Sequence, residues 1–109
     1  MAAWFELGKS SDGQFRFSLK HESGTLLNSE LYKAKPSAQS GIASVQSNSA
    51  NEGRYEKKAS SNGKHYFNLK ASNGQVIGTS PMYGTEADRD DAIAAVKAGG
   101  ATTDIRDSA

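Results

Sequence analysis

The feature that most constrains this chain is an internal repeat. Phe5-Glu6-Leu7-Gly8-Lys9-Ser10-Ser11-Asp12-Gly13 returns as Tyr55-Glu56-Lys57-Lys58-Ala59-Ser60-Ser61-Asn62-Gly63. Phe17, Leu19, Lys20 and Gly24 then correspond to Phe67, Leu69, Lys70 and Gly74. One extra residue enters near Gly78-Thr79, after which Ser29, Tyr32, Ile42, Ala43 and Val45 return as Ser80, Tyr83, Ile93, Ala94 and Val96. Glycines, apolar positions and a tyrosine kept in one order mean that one supersecondary unit is built twice. Repeat one is placed at residues 4–50, a linker strand at 51–54 and repeat two at 55–107, all within a single domain over residues 1–109.

Each unit reads as three strands, a helix and a closing strand. Phe5 and Leu7 alternate with Trp4, Glu6 and Gly8, and Phe15, Phe17 and Leu19 alternate with Arg16, Ser18 and Lys20. That period of two marks half-buried strands. Ser11-Asp12-Gly13 and Ser61-Asn62-Gly63 carry hairpin chemistry, glycine supplying the positive φ at the end of a three-residue loop. Pairing about the first loop sets Leu7 by Phe17 and Phe5 by Leu19. Turns at Ser23-Gly24 and Asn73-Gly74 lead to short strands at Leu26-Leu27 and Val76-Ile77, whose register stays open because both residues of each pair are apolar. Helices follow. Pro36 sits near the start of the first, with Ala38, Ile42 and Val45 as its buried stripe. Thr85 caps the second, Glu86, Asp88, Asp90 and Asp91 suit its dipole, Ala92, Ile93 and Val96 face inward, and Gly99-Gly100 ends it. A last strand runs from Thr102 to Asp107 around Ile105. The fold class is α+β: one mainly antiparallel sheet with both helices on one face. The other face, with Glu6, Arg16, Ser18, Lys20, Glu56, Tyr66, Asn68 and Lys70, is expected to be wet.

Composition excludes several function classes. The 109 residues contain no cysteine, which removes disulfides, thiolate zinc sites and cysteine nucleophiles and fits a reducing cytoplasm. Net charge is +1, too little for a strong nucleic-acid or membrane footprint. Residues 1–11 lack the pattern of a signal peptide, and no run approaches the roughly 20 apolar residues that cross a bilayer. The expected location is cytoplasmic.

The runs Ser10 to Lys20, Ser29 to Lys33 and Gly41 to Val45 resemble the YegP-like family of small bacterial tandem-repeat proteins of uncharacterised function. So do Ser60 to Lys70, Tyr83 and Ile93-Ala94-Ala95-Val96 in the second copy. The resemblance covers nearly the whole chain. It implies two tandem β3-α-β repeats that share one sheet and exchange their C-terminal strands. It brings no established activity and therefore no functional residues. The chain departs from the pattern where Asp90-Asp91-Ala92 stands against Gln39-Ser40-Gly41.

No constellation for catalysis emerges. His21 and His65 occupy unmatched positions, no serine lies in a Gly-x-Ser-x-Gly elbow, and Gly63-Lys64 is followed by His65 rather than Ser or Thr. The acidic run Glu86 to Asp91 is explained by the helix dipole, since consecutive helical carboxylates diverge; no metal and no cofactor is expected. Two candidate surfaces remain. Arg16, Lys20, Lys64, Tyr66 and Lys70 interleave positive charge with a ring on the open sheet face, a pattern suited to a partner or to single-stranded nucleic acid. Ser29, Tyr32, Ser80 and Tyr83 form a repeat-related loop pair, as packed rings or as a small-ligand or partner site. Trp4, which has Arg54 in its place in the second unit, is an anchor for a partner or a cap on the core. The leading reading is a non-catalytic binding or protein-interaction module, monomeric, with an unidentified protein partner and no membrane. Weak single-stranded nucleic-acid binding is the alternative. An enzyme with a hydroxyl-based site comes last and requires Tyr32 and Tyr83 in a shared cleft.

Overall fold

Strand alternation and hairpin glycines become a sheet in the expected register. The structure is a computed structural model describing residues 3–22 and 24–109; Ser23, expected in a turn, lies outside the described residues. Repeat one comprises β1 (Ala3–Lys9), β2 (Phe15–His21), β3 (Gly24–Asn28) and α1 (Lys35–Asn48). Repeat two comprises β4 (Tyr55–Ala59), β5 (His65–Lys70), β6 (Val76–Thr79) and α2 (Glu86–Gly99), and β7 (Ile105–Asp107) follows. Leu7 stands opposite Phe17 and Phe5 opposite Leu19, around a loop whose Gly13 has φ +85°. The seven strands form one sheet in the order β4-β5-β6-β3-β2-β1-β7. Neighbours are antiparallel except β1 and β7, which run parallel.

The inward residues of both units meet in one core. Phe5, Leu7, Phe17, Leu19, Phe67 and Leu69 from the strands join Ala38, Ile42 and Val45 of α1 and Ala92, Ile93 and Val96 of α2 in a single buried cluster. Thr85 caps α2 by accepting from Asp88 N–H at 3.1 Å, whereas Ala34, which precedes α1, offers no side-chain cap. Among the described residues no helix is long and apolar enough to cross a membrane.

The two units meet about a pseudo-twofold axis, and glycine makes each meeting possible. Leu27 stands opposite Leu19 and Gly78 opposite Leu69, so they are equivalent positions. A Cβ on Gly78 would fall 2.6 Å from Leu27 Cγ, so the leucine of one unit lies over the glycine of the other. The helix ends repeat the device: a Cβ on Gly100, the C-cap of α2, would fall 2.4 Å from Cβ of Ser49, the C-cap of α1.

Two expectations need correction, and the third-strand register, open from sequence, is now fixed. The third-strand register is set by β-bulges, one at Leu19/Lys20 against β3 and one at Leu69/Lys70 against β6. A bulge lets consecutive side chains point the same way, so Leu26 and Leu27 are both buried. The extra residue of repeat two sits in the turn before β6, because Val76 and Thr25 pair with the equivalent Lys70 and Lys20; it is not at Gly78-Thr79. The linker is no strand either: Glu52–Arg54 is a 3-10 helix, because Asn51 caps it by accepting from Gly53 N–H.

Candidate binding surface

A line of polar side chains crosses the open face of the sheet. Strand register aligns Arg106, Glu6, Ser18, Asn28, Thr79, Asn68 and Glu56, one from every strand. Its centre is tied together by hydrogen bonds: Ser18 Oγ donates to Asn28 Oδ1 at 2.9 Å, and Thr79 Oγ1 donates to Asn68 Oδ1 at 2.9 Å. Its ends are charged. Lys20 Nζ lies 3.1 Å from Glu6, and Lys70 Nζ lies 3.1 Å from Glu56, with Lys58 at 3.5 Å from the same carboxyl. A hydrogen bond from Trp4 Nε1 and the Lys20 ammonium hold Glu6 below the usual carboxylate range, and Lys70 with Lys58 does the same for Glu56.

The five residues singled out on this face do not form one basic track. Arg16 and Lys20 stand on β2, Tyr66 and Lys70 on β5, and β3 and β6 lie between them, a separation of roughly 14 Å at ordinary strand spacing. Because β2 and β5 run in opposite senses, Lys20 and Lys70 fall on opposite sides of the polar line. Lys64 lies in the exposed loop before β5. Arg16 borders a shallow depression of about 150 Å³, left open by Gly8 and shared with Glu6, Ser18, Lys20 and Ser108. Trp4 is only half-buried and does not cap the core: the Arg106 guanidinium lies 4.2 Å from its ring, so the indole helps clamp β7 in place.

The loop residues are engaged by the fold. Ser29 Oγ accepts from Phe17 N–H at 2.9 Å and donates to Glu30 O, and Ser80 Oγ accepts from Phe67 N–H at 3.0 Å and donates to Pro81 O. Tyr32 exchanges two backbone hydrogen bonds with Phe15, and Tyr83 does so with His65. Tyr32 stacks on Phe17 with ring centroids 6.3 Å apart, and Gly41 makes room for its hydroxyl, which a Cβ there would meet at 2.8 Å. Burial raises the pKa of both phenols. They do not share a site. Tyr83 lines a cleft of about 390 Å³ with His21, Thr25, Leu26, Asp88, Asp91 and Ala92, to which Tyr32 does not contribute.

Two carboxylates at the acidic start of α2, Glu86 and Asp90, are likewise engaged in ion pairs. Arg89 is buried and lies 3.2 Å from Asp90 and 3.9 Å from Glu86, and Lys57 lies 3.3 Å from Asp90. Partial burial pushes the Asp90 pKa up, and hydrogen bonds from Arg89 and Lys57 outweigh it, leaving the group below its ordinary value. Sequence reasoning passed over Arg89; its signal was a lone arginine in register with the buried Ala38 of the first helix. Among the described residues no group of three or more His, Asp or Glu is placed to hold a metal ion.

Two copies of the Domain of unknown function (DUF1508) match the chain, at residues 10–56 and 60–107. The chain belongs to the UPF0339 YegP family. It is 61% identical to the UPF0339 protein YegP of Escherichia coli (strain K12) over 109 residues, 99% of each chain. It is 53% identical to UPF0339 protein ACIAD0721 of Acinetobacter baylyi, covering 98% of this chain and 97% of that one. The solution NMR structure of UPF0339 protein SO3888 from Shewanella oneidensis superposes with a TM-score of 0.92 at 52% identity, over 98% of this chain and 92% of that one. That of YegP from E. coli, described as a protein of unknown function, also gives 0.92, at 60% identity over 99% and 94%. The UPF0339 family thus fixes the tandem repeat and the α+β fold, and its members are of unknown function.

Proposed function

We propose that the chain is a non-catalytic interaction module that works through its uncovered sheet. One observation carries this reading: residues that would supply chemistry are engaged in holding the fold, while a seven-stranded sheet keeps one face free of helices. Ser29 and Ser80 satisfy strand amides, and Tyr32 and Tyr83 pack under separate helices rather than into a common cleft. The parallel pairing of β7 with β1 supports a strand lent by the second unit to the first, which would stiffen the pair as one body. The absence of cysteine supports a cytoplasmic setting. Ion pairing of Lys20 with Glu6 and of Lys70 with Glu56 weighs against nucleic acid, since phosphates would have to displace carboxylates already in place.

Affinity capture with the tagged chain, quantified against a tag-only control, tests the reading. A reproducibly enriched protein supports it; an empty capture from cells that express the protein overturns it. A parallel NMR titration with mixed single-stranded DNA and RNA tests the nucleic-acid alternative. Shifts at Arg16, Lys20, Tyr66 and Lys70 that vanish with added salt would replace the protein partner with a nucleic acid.

A further inference from the structure

The four carboxylates at the start of α2 divide between two sides of the helix. Glu86 and Asp90 lie against Arg89, and Asp90 also meets Lys57. Asp88 and Asp91, three positions apart and so neighbours on another side, take part in no ion pair among the described residues. They line the cleft of about 390 Å³ that Tyr83 and Ala92 share with His21, Thr25 and Leu26 of the first unit. Among the described residues no lysine or arginine lines it. The cleft shares no residue with the polar line across the uncovered face of the sheet.

The same place in the first unit is built differently. Asp88, Asp91 and Ala92 correspond to Ser37, Ser40 and Gly41, and His21 and Leu26 to Ala71 and Ile77. A Cβ on Gly41 would fall 2.7 Å from Phe17 Cε2 and 2.8 Å from the Tyr32 hydroxyl. Tyr32 can therefore settle against the helix and stack on Phe17. Ala92 carries the methyl group that this seat excludes. Phe67 has a ring contact with Tyr55 but, among the described residues, none with Tyr83, which stands at the cleft wall. Burial and the nearby Asp88 carboxylate raise the Tyr83 pKa, so the hydroxyl is protonated at neutral pH and its oxygen can accept a hydrogen bond. Two independent features meet here: carboxylates without cations, and an aromatic ring kept off the seat its counterpart takes.

We propose that this cleft binds a small aliphatic diamine in its doubly charged form. Its volume is that of a small-molecule site. Side chains three apart on a helix have Cβ atoms about 5–6 Å from each other, a spacing that four methylenes give to two ammonium groups. Leu26 and Ala92 offer apolar surface to the methylenes, and an aromatic face such as that of Tyr83 attracts a cation placed over it. A metal ion would use none of these surfaces, and among the described residues no three His, Asp or Glu are placed to hold one. The site is independent of the sheet-face reading, so either can fail alone.

Titration of the isotope-labelled chain with butane-1,4-diamine, beside butylamine and beside sodium chloride at equal ionic strength, tests the site. Saturable amide shifts at Thr25, Leu26, Tyr83, Asp88 and Asp91 are expected. The diamine should bind about threefold tighter than butylamine, what one further exposed ion pair supplies. Asp91→Asn keeps the shape, removes one charge and should bring the diamine down to the affinity of butylamine. Ala92→Gly leaves every charge in place and should let Tyr83 take the seat that Tyr32 has, which closes the cleft and abolishes saturable binding. Equal shifts with diamine and sodium chloride, equal affinity for the two amines, or no saturation with ligand at about 10 mM overturn the proposal. So do shifts centred on Glu6 or Glu56, or full diamine affinity in either folded variant.

Discussion

Leu27 and Gly78 give the sharpest test of how the repeats fit together. Gly78→Ala places a methyl group 2.6 Å from both Cγ and Cδ2 of a leucine that is fully buried. Cγ is not the far end of a flexible chain, so the leucine must shift within a packed core. Such overpacking costs typically about 1–3 kcal/mol. Replacing glycine by alanine in an unstrained conformation returns about 0.4–1 kcal/mol through the unfolded chain, and Gly78 does not have positive φ. The net expectation is a destabilisation of up to about 2.6 kcal/mol, with a midpoint of roughly 1.3 kcal/mol. Leu27→Ala alone removes a buried side chain and should cost roughly 2–5 kcal/mol. In the double variant the new methyl occupies part of the vacated space, so the two effects should fall short of additivity by about 0.5–3 kcal/mol. Urea denaturation followed by Trp4 fluorescence and far-UV circular dichroism reads all four corners of the cycle. A Gly78→Ala protein more stable than the parent, with additive effects in the double variant, would refute the claim that glycine is required where the repeats cross.

Other predictions follow from single contacts. Ser80→Ala leaves Phe67 N–H without its side-chain acceptor in a buried setting and should cost about 1–3 kcal/mol, read by the same denaturation assay. Thr85→Ala should lower stability by about 1 kcal/mol, and Ala34→Asp should raise it by a similar amount by supplying the cap that α1 lacks, both measurable as shifts of the thermal midpoint. The Lys35 ammonium holds Asp107 below its ordinary 3.8, and Trp4 with Lys20 holds Glu6 below 4.5. Both carboxyls are lower in the folded chain than in the unfolded one, so their contribution is complete above those ordinary values and is lost as pH falls through the folded ones. Amide exchange in β7 should therefore rise as pH is lowered past 4.5, before that of β2 or β5, once the intrinsic pH dependence of exchange is removed.

Much of the fold was legible because its signals are local. The alternation of Phe5 and Leu7 against Phe17 and Leu19, with a glycine closing the loop, left one register that buries all four, and β1 and β2 adopt it. Thr85 before a run of acids marked the start of α2 with equal clarity. The third strands were not legible, because Leu26-Leu27 is apolar at both positions and only the bulge opposite Leu19 and Lys20 decides that both point inward. Nor was the 3-10 turn at Glu52–Arg54, whose formation depends on an asparagine cap rather than on any apolar period. Of the candidate site, the open face was readable from alternation, and cross-strand pairing of Glu6 and Glu56 with Arg16, Lys20 or Lys70 is the ordinary expectation for such a face; which cation takes each carboxylate was not readable. Which of Arg16, Lys20 and Lys70 keeps a free charge depends on diagonal neighbours such as Glu6 and Glu56, and so on strand order.

Several departures of the second repeat from the first follow from an asymmetry that tandem linkage imposes. In repeat one the β1 edge is covered by β7, and the inward residue beside that edge can be Leu7, which is 1% exposed. The same position in repeat two has no covering strand, and a leucine there would leave an apolar edge open to pairing with any exposed strand. Lys57 stands there instead, with Lys58 in place of Gly8 beside it. Arg89 replaces the buried Ala38 on the facing helix, and Asp90 joins it to Lys57. These changes convert a stretch of core into a polar margin without altering the strand register, which remains that of repeat one. Divergence between the copies at these positions thus follows the difference in their surroundings. The β4 margin, where Lys57 pairs with Asp90, differs in surface character from the covered β1 edge, while the hairpin geometry of the two units is the same.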